Sequence, residues 1–324
     1  MQFRCSRRYF LKLAAGATAG AAAAQLGHVL QNNRPLRIGL VGLGDRGLRH
    51  LEFAARTSAF RVTDICDTAE NALFNVTDMV GTSVRKWTDY GSLLNCGSHE
   101  VLVLCVPHDQ QTALVKHASL KGVPIYLDPG TPHEMPSDQE VSSPGMVSLH
   151  LTNRISSTSQ QAVAHSKKGN GSILITCRQN GRSPLPSFDA VDLLTQMLPS
   201  VPEWTRLRVF RLNQPWGNDY ELYVDREVGT TRAYLKTTGS ESGPVGTAVH
   251  FYSTRRQFHA ASTARGASEA DKLHGDLWGR FSAAVRAKDA RMFPISLASV
   301  GLSTIIVSAI YQASIHEKTE WIIS

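Results

Sequence analysis

The chain predicts a two-domain α/β protein: a doubly wound parallel sheet, then an α+β domain built on an open antiparallel sheet. Three observations predict it. The apolar run Leu36–Val41 breaks into a G-x-G-x-x-G turn, Gly42-Leu43-Gly44-Asp45-Arg46-Gly47. Strand-like and helix-like segments alternate from there to about residue 150. Beyond about residue 170, five strand-like runs follow with short turns between most of them.

Pro35 closes a polar linker, and Leu36–Val41 reads as the first strand. Leu48, Leu51 and Ala55 share one face of a helix over Leu48–Arg56. Phe60–Cys66 is a strand ending at Asp67, and Ala69–Met79 is helical. Val84–Trp87 leads into a short turn and helix over Thr88–Leu94. Val101–Val106 is continuously apolar, as a strand buried on both faces should be, and Pro107 ends it. Gln110–Lys121 is a helix capped by Gly122. Pro124–Leu127 and Met146–Leu151 complete the first sheet, ending at Asp128 and near Asn153-Arg154. The second sheet takes Ser172–Arg178, Thr205–Asn213, Tyr220–Arg226, Thr231–Thr237 and Val249–Thr254. One helix, Phe188–Leu198, interrupts it, and Asp271–Lys288 and Ile295–His316 close the chain. The last is apolar, but Ser296, Ser299, Ser303, Ser308 and Gln312 mark it as a buried helix rather than a membrane span. The expected domains are 1–34 (leader and linker), 35–153 (first sheet) and 154–324 (second sheet).

The 324 residues carry a formal charge of +7, with 42% hydrophobic and 19% charged residues. Arg4, Arg7, Arg8 and Lys12 lie in the leader, so the remainder carries only roughly +3. No basic stripe with interleaved aromatics argues for nucleic acid. Ser6-Arg7-Arg8-Tyr9-Phe10-Leu11-Lys12, followed by an Ala/Gly-rich stretch ending in Ala22-Ala23-Ala24, resembles a twin-arginine export signal. The expected location is therefore the periplasm, reached through the twin-arginine translocase, with membrane association if the leader is retained. Cys66, Cys96, Cys105 and Cys177 form no CxxC pair, so no metal knuckle is expected, and Cys66 and Cys105 read as buried thiols.

The glycine turn follows a strand, precedes a helix, and is followed by an acid, Asp67, at the end of the next strand. In a Rossmann unit the glycines permit a tight turn, close phosphate approach and helix–strand packing, while the acid accepts from the adenine ribose hydroxyls. A carboxylate there repels a ribose phosphate, so NAD is expected, with NADP as the alternative.

Several segments resemble the Gfo/Idh/MocA family of NAD(P)-dependent sugar and polyol oxidoreductases. They are the glycine turn, Ile65-Cys66-Asp67, Trp87-Thr88-Asp89-Tyr90, Val103–Pro107, Gly122–Asp128, Asn153-Arg154, Gly169–Ile173, Asp276–Phe281 and Ala284-Val285-Arg286. The resemblance implies a Rossmann domain followed by an open antiparallel sheet that mediates homo-oligomers, and a carbohydrate-like substrate. It places cofactor contacts at Gly42, Gly44, Asp45, Arg46, Gly47, Asp67, Pro107, Gln111 and Asp128. Gln111 stands where a histidine is common in the family.

The catalytic positions depart from the family pattern. Its Glu-Lys-Pro segment is Asp128-Pro129-Gly130 here, which puts Pro129 at the lysine position. Proline has no side-chain proton to transfer. The family's Asp-x-x-x-His pair aligns with Leu185 and Asp189, so Asp189 is the catalytic candidate, competent if burial raises its pKa. His108, Asp109, His133, Glu134, Arg154 and Asp192 are further cleft candidates, and Trp216, Tyr220, Tyr223 and Tyr234 could stack on a sugar. Three functions follow: hydride transfer with a sugar or polyol, a catalytically silent dinucleotide- or glycan-binding protein, or an NAD-dependent glycosidase.

Overall fold

The computed structural model describes residues 34–322 apart from 82, 131–135, 137–140, 142–145, 168–170, 181–184, 199–203, 215–216, 227–229, 241–245, 253–256 and 264–266. The expected leader, His133, Glu134 and Trp216 lie outside the described residues.

The first sheet comprises β1 (Leu36–Val41), β2 (Phe60–Cys66), β3 (Arg85–Trp87), β4 (Val101–Leu104), β5 (Ile125–Leu127) and β6 (Val147–Leu149). Its order is β3-β2-β1-β4-β5-β6 and every pairing is parallel. Ile38, Leu40, Val101 to Leu104 and Ile125 to Leu127 are wholly or almost wholly buried, as a sheet covered on both faces requires. The chain runs outward from β1 in both directions, so the switch point lies between β1 and β4. Helices α1 (Asp45–Arg56), α2 (Glu70–Asn75), α3 (Thr77–Val80), α4 (Tyr90–Cys96) and α5 (His108–Leu120) connect the strands. The single helix expected over Ala69–Met79 is interrupted at Val76, and α1 starts three residues earlier than its apolar spacing suggested. Asp64, inside β2 and fully buried, accepts from Trp87 Nε1 (3.0 Å), Arg85 (2.9 Å) and Ser98 N (3.0 Å), which anchors the edge strand β3.

A one-turn 3-10 helix, Thr152–Arg154, leads to α6 (Ser157–Ser166). The second domain continues with β7 (Ser172–Asn180), α7 (Phe188–Met197), β8 (Trp204–Gln214), β9 (Gly217–Arg226), β10 (Thr230–Ser240), β11 (Gly246–Tyr252), β12 (Gln257–Thr263), α8 (Ala267–Ala287), α9 (Gly301–His316) and β13 (Lys318–Ile322). The sheet order is β12-β11-β7-β10-β9-β8-β13. The sheet is mixed rather than antiparallel throughout, because β7 and β10 pair in parallel. A helix and a hairpin separate these two strands in sequence, which supplies the crossover that parallel neighbours need. The polar run of α6 and the short β12 and β13 carry weak periodicity, and the sequence reading missed all three.

One face of this sheet, with Ile173, Ile175, Leu207, Val209, Tyr220, Leu222, Val224, Ala233 and Leu235, is buried against the helices. In α9, Ser303, Ile306, Val307, Ala309, Ile310 and Ala313 are buried, which is the core-helix role expected of it. The three described tyrosines of the expected sugar-stacking set do not share one face. Tyr220 is wholly buried in the core, whereas Tyr223 and Tyr234 lie on the opposite face, where Arg208 and Arg232 stack on them at 5.1 and 4.8 Å. Strand alternation separates residues 220 and 223 by an odd number and so sends them to opposite faces. The four cysteines among the described residues are free, with Cys66, Cys105 and Cys177 buried.

Candidate functional site

The site is built on the C-terminal ends of β1, β4 and β5. Gly42 leaves β1 with φ +89°, and a Cβ there would lie 2.6 Å from the Cys105 carbonyl oxygen. A Cβ at Gly47 would overlap the Gly42 carbonyl oxygen. The middle glycine differs: Gly44, at the N-cap of α1, has nothing within 4 Å of where a Cβ would stand. Two glycines therefore serve internal packing, and the third keeps open space in front of a helix N-terminus whose amides and dipole favour an anion. Asp45 is exposed in the first turn of α1. Asp67 Oδ2 accepts from Leu43 N at 2.7 Å and Oδ1 from Ala69 N at 2.9 Å. The acid thus ties the turn to the end of β2, and its remaining lone pairs are free for other donors.

Across the switch point the arrangement is denser. Arg46 donates to the Val106 carbonyl (3.2 Å), to Asp128 Oδ1 (3.2 Å) and to the Asp128 carbonyl. Its guanidinium lies against Gly130, which has φ +63° and whose Cβ would collide with Arg46 Cζ. Gln111 is fully buried beneath these strand ends, its amide nitrogen donating at 3.0 Å to the carbonyls of Val106 and Pro129. Gln111 Oε1 finds no partner among the described residues. Pro107, exposed, caps α5.

Asp128 is the hub of a buried network that the sequence reading missed. His50 Nε2 lies 3.1 Å from Asp128 Oδ2, and Trp278 Nε1 donates to His50 Nδ1 at 3.1 Å and to His274 Nε2 at 3.0 Å. Tyr126 Oη meets His150 Nδ1 at 2.8 Å, and the rings of His50, His150 and His274 lie 4.7 to 4.9 Å apart. Indole nitrogen only donates, so His50 carries its proton on Nε2 and gives it to Asp128. Ligand atoms of His50, Cys105 and Asp128 lie within 4.8 Å of one another, as a metal would need. However, the His50 lone pair faces Trp278, Asp128 already pairs with Arg46, and burial pushes the Cys105 thiol well up, so His50 and Asp128 read as a hydrogen-bonded pair with a buried thiol beside them. Burial by itself would raise the Asp128 pKa. The His50 hydrogen bond and the charge of Arg46 overcome that and hold it well below the usual carboxylate range. One cue was present: Arg46 and His50 are four apart on α1 and so share a face.

Asp189 sits in the first turn of α7. The Phe188 amide donates to the Gly130 carbonyl at 2.8 Å, which brings the start of α7 to the end of β5. Asp189 accepts from Thr152 Oγ1 (2.7 Å) and Asn153 N (3.1 Å). Burial lifts its pKa to about 7; these hydrogen bonds oppose the rise and the charges of Asp192 and Asp128 add to it. Asp192, fully buried, takes a two-pronged contact from Arg154 (2.7 and 2.8 Å), with Ser303 (2.8 Å) and Gln196 (2.9 Å) completing its shell. Arg154 and Asp192 are thus bracing groups: they hold the 3-10 turn whose Thr152 and Asn153 grip Asp189. Asp109 is exposed in the first turn of α5.

The two environments set opposite pH dependences for stability. Burial, with repulsion between neighbouring imidazoles, drops the pKa of His150 to about 3 and of His274 to about 2, from 6.5. Between pH 6.5 and about 4.5 the unfolded chain binds protons that these folded histidines refuse, so stability falls on acidification. Asp189 acts the other way, taking a proton near pH 7 when folded and near 3.8 when unfolded. The expected result is that Asp189→Asn loses stability more steeply than wild type over this window. Urea midpoints at pH 6.5, 5.5 and 4.5 would show it, and parallel slopes would contradict it.

No family model and no curated protein sequence matches the chain. Solved structures do match in fold. Myo-inositol dehydrogenase from Lactobacillus casei, in complex with NAD(H) and myo-inositol, superposes with a TM-score of 0.68 at 11% identity, covering 90% of this chain and 97% of that one. A myo-inositol dehydrogenase from Corynebacterium glutamicum gives 0.65 at 13% identity over 90% and 100% of the two chains. An oxidoreductase from Agrobacterium radiobacter, in complex with NAD+, L-tartaric acid and magnesium, gives 0.61 at 13% identity over 89% and 98%. The chain therefore has the two-domain fold of these dehydrogenases along nearly its whole described length. The fold implied by the sequence resemblance is the fold observed.

Proposed function

We propose that the protein binds NAD, with NADP the alternative, and exchanges a hydride with a sugar or polyol. The observation that carries this is the turn at residues 42–47: two glycines packed against backbone and a third facing open space at a helix N-terminus. Asp67 stands at its flank, positioned to accept from ribose hydroxyls once a dinucleotide lies there. The dinucleotides bound in the L. casei and A. radiobacter structures support the reading.

When bound, a nicotinamide supplies the hydride acceptor or donor. The protein's own part is proton handling. Asp189, with a pKa of about 7, exists in both protonation states at neutral pH. It is therefore suited to take the hydroxyl proton on oxidation and return it on reduction. Asp128, held ionised by the charge of Arg46 and the hydrogen bond from His50, keeps its charge throughout and orients both side chains. Opposed environments of this kind divide labour between two carboxylates.

A second reading, dinucleotide binding without turnover, is favoured by Pro129 at the position where the family carries lysine. Denaturing the purified protein and assaying released NAD(H) tests the binding both readings share. Gly44→Val, which fills the open space, is expected to abolish the release; equal release from both proteins would reject the site. Turnover of polyols or aldoses then separates the two readings. Export by the twin-arginine route and a homo-oligomer through the second sheet belong to the same proposal, and cell fractionation and light scattering check them.

A further inference from the structure

We propose that Arg46 determines which half of the dinucleotide site is open: its guanidinium occupies the nicotinamide half, so the site takes an ADP-type ligand ahead of a whole dinucleotide. The inference rests on the dinucleotide reading above and adds a selectivity to it: hydride transfer then requires Arg46 to leave its acceptors first, whereas ADP binding does not.

A doubly wound sheet binds a dinucleotide across its switch point, one nucleotide half on each side. Here the adenosine side is defined by β1, β2 and Asp67, and the space before Gly44 is open. The other half belongs over the ends of β4 and β5. Arg46 bridges those two ends, donating to the carbonyl of Val106 after β4 and to both the carbonyl and carboxylate of Asp128 after β5.

Three features make this a built position. Gly130 adopts a left-handed conformation, and the guanidinium fills the space where any side chain at 130 would stand. Gln111 fastens the same strand ends from beneath, through the carbonyls of Val106 and Pro129, so the surface under Arg46 is fixed. His50, one turn along α1, holds the other oxygen of Asp128, and Trp278 fixes its ring in turn. A nicotinamide riboside can enter only if the guanidinium leaves its acceptors. That leaves Asp128 without its cationic partner, an unfavourable exchange in a largely buried place. ADP makes no such demand, because its diphosphate ends at the amides of the turn.

The test is calorimetric titration of the purified full-length chain with ADP and, separately, with NAD, for wild type, Arg46→Met and Arg46→Gln. Wild type is expected to bind ADP at least about tenfold more tightly than NAD. Both variants are expected to lower that preference by about tenfold, because the ratio cancels any change in phosphate affinity common to the two ligands. ADP binding by the variants doubles as the check that they fold. If wild type binds NAD as tightly as ADP, the inference is wrong while the dinucleotide reading stands, whatever the variants do. A preference that neither variant changes overturns it as well, and so does an equal loss of both ligands, which would make Arg46 a phosphate anchor. If wild type binds neither nucleotide, the dinucleotide reading itself fails and this inference falls with it.

Discussion

Asp189→Asn is expected to slow hydride transfer about 10²- to 10⁴-fold, the range typical of a lost general acid–base group. The side chain keeps its shape, and its carbonyl oxygen can still accept from Thr152 Oγ1 and the Asn153 amide. The fold and the nucleotide affinity should therefore hold while kcat falls. The pH–rate profile carries the sharper signature. With Asp189 poised near 7, wild type should show a limb there, falling as pH drops in the oxidative direction because the carboxylate must be free to accept the proton. The variant should lose that limb. Retention of wild-type kcat and of the limb would remove Asp189 from the mechanism, and no turnover of any polyol or aldose by wild type would favour the silent reading. Loosening the brace at Asp192 is a related but different change: Asp192 contacts Arg154, Ser303 and Gln196, so its loss should shift the Asp189 limb rather than delete it.

Asp128→Ala should be the most damaging single change to stability, at about 3 kcal/mol. Its carboxylate is paired with Arg46 on one oxygen and His50 on the other, and both partners stay behind when it is removed. His50 is buried, and its ring is held by a Trp278 donor that cannot turn round to compensate. Asp128→Asn keeps an acceptor and loses the charge, so its cost should fall between that of wild type and alanine. Guanidinium denaturation of the three proteins measures this. A midpoint for the alanine variant within error of wild type would mean that the network is marginal to stability.

The sequence shows some of this plainly and hides the rest, for a reason of range. The glycine turn, the strand before it and the acid ending the next strand are neighbours in sequence, and the positive φ of Gly42 and the Gly42 carbonyl beside Gly47 are local demands for glycine. The buried strands Val101–Leu104 and Ile125–Leu127 announce themselves as unbroken apolar runs. The position of Asp189 follows from the start of an apolar helix.

What the sequence could not show is who faces whom. His50 and Trp278 are 228 residues apart, and a histidine in a polar helix turn gives no sign that an indole will fix its tautomer. Arg46 reads as one more residue of a glycine turn until folding brings the end of β5 within its reach, 82 residues on. The parallel pairing of β7 with β10 is equally silent, because strand alternation encodes a face and not a neighbour. Sequence alone determined the parallel-sheet strands, the glycine turn and the candidate acid, since each depends on residues close together along the chain. Tertiary structure alone decided the charge partners, the raised pKa of Asp189 and the placing of Arg46 across the ends of β4 and β5, since desolvation and Coulomb energy depend on distance in space.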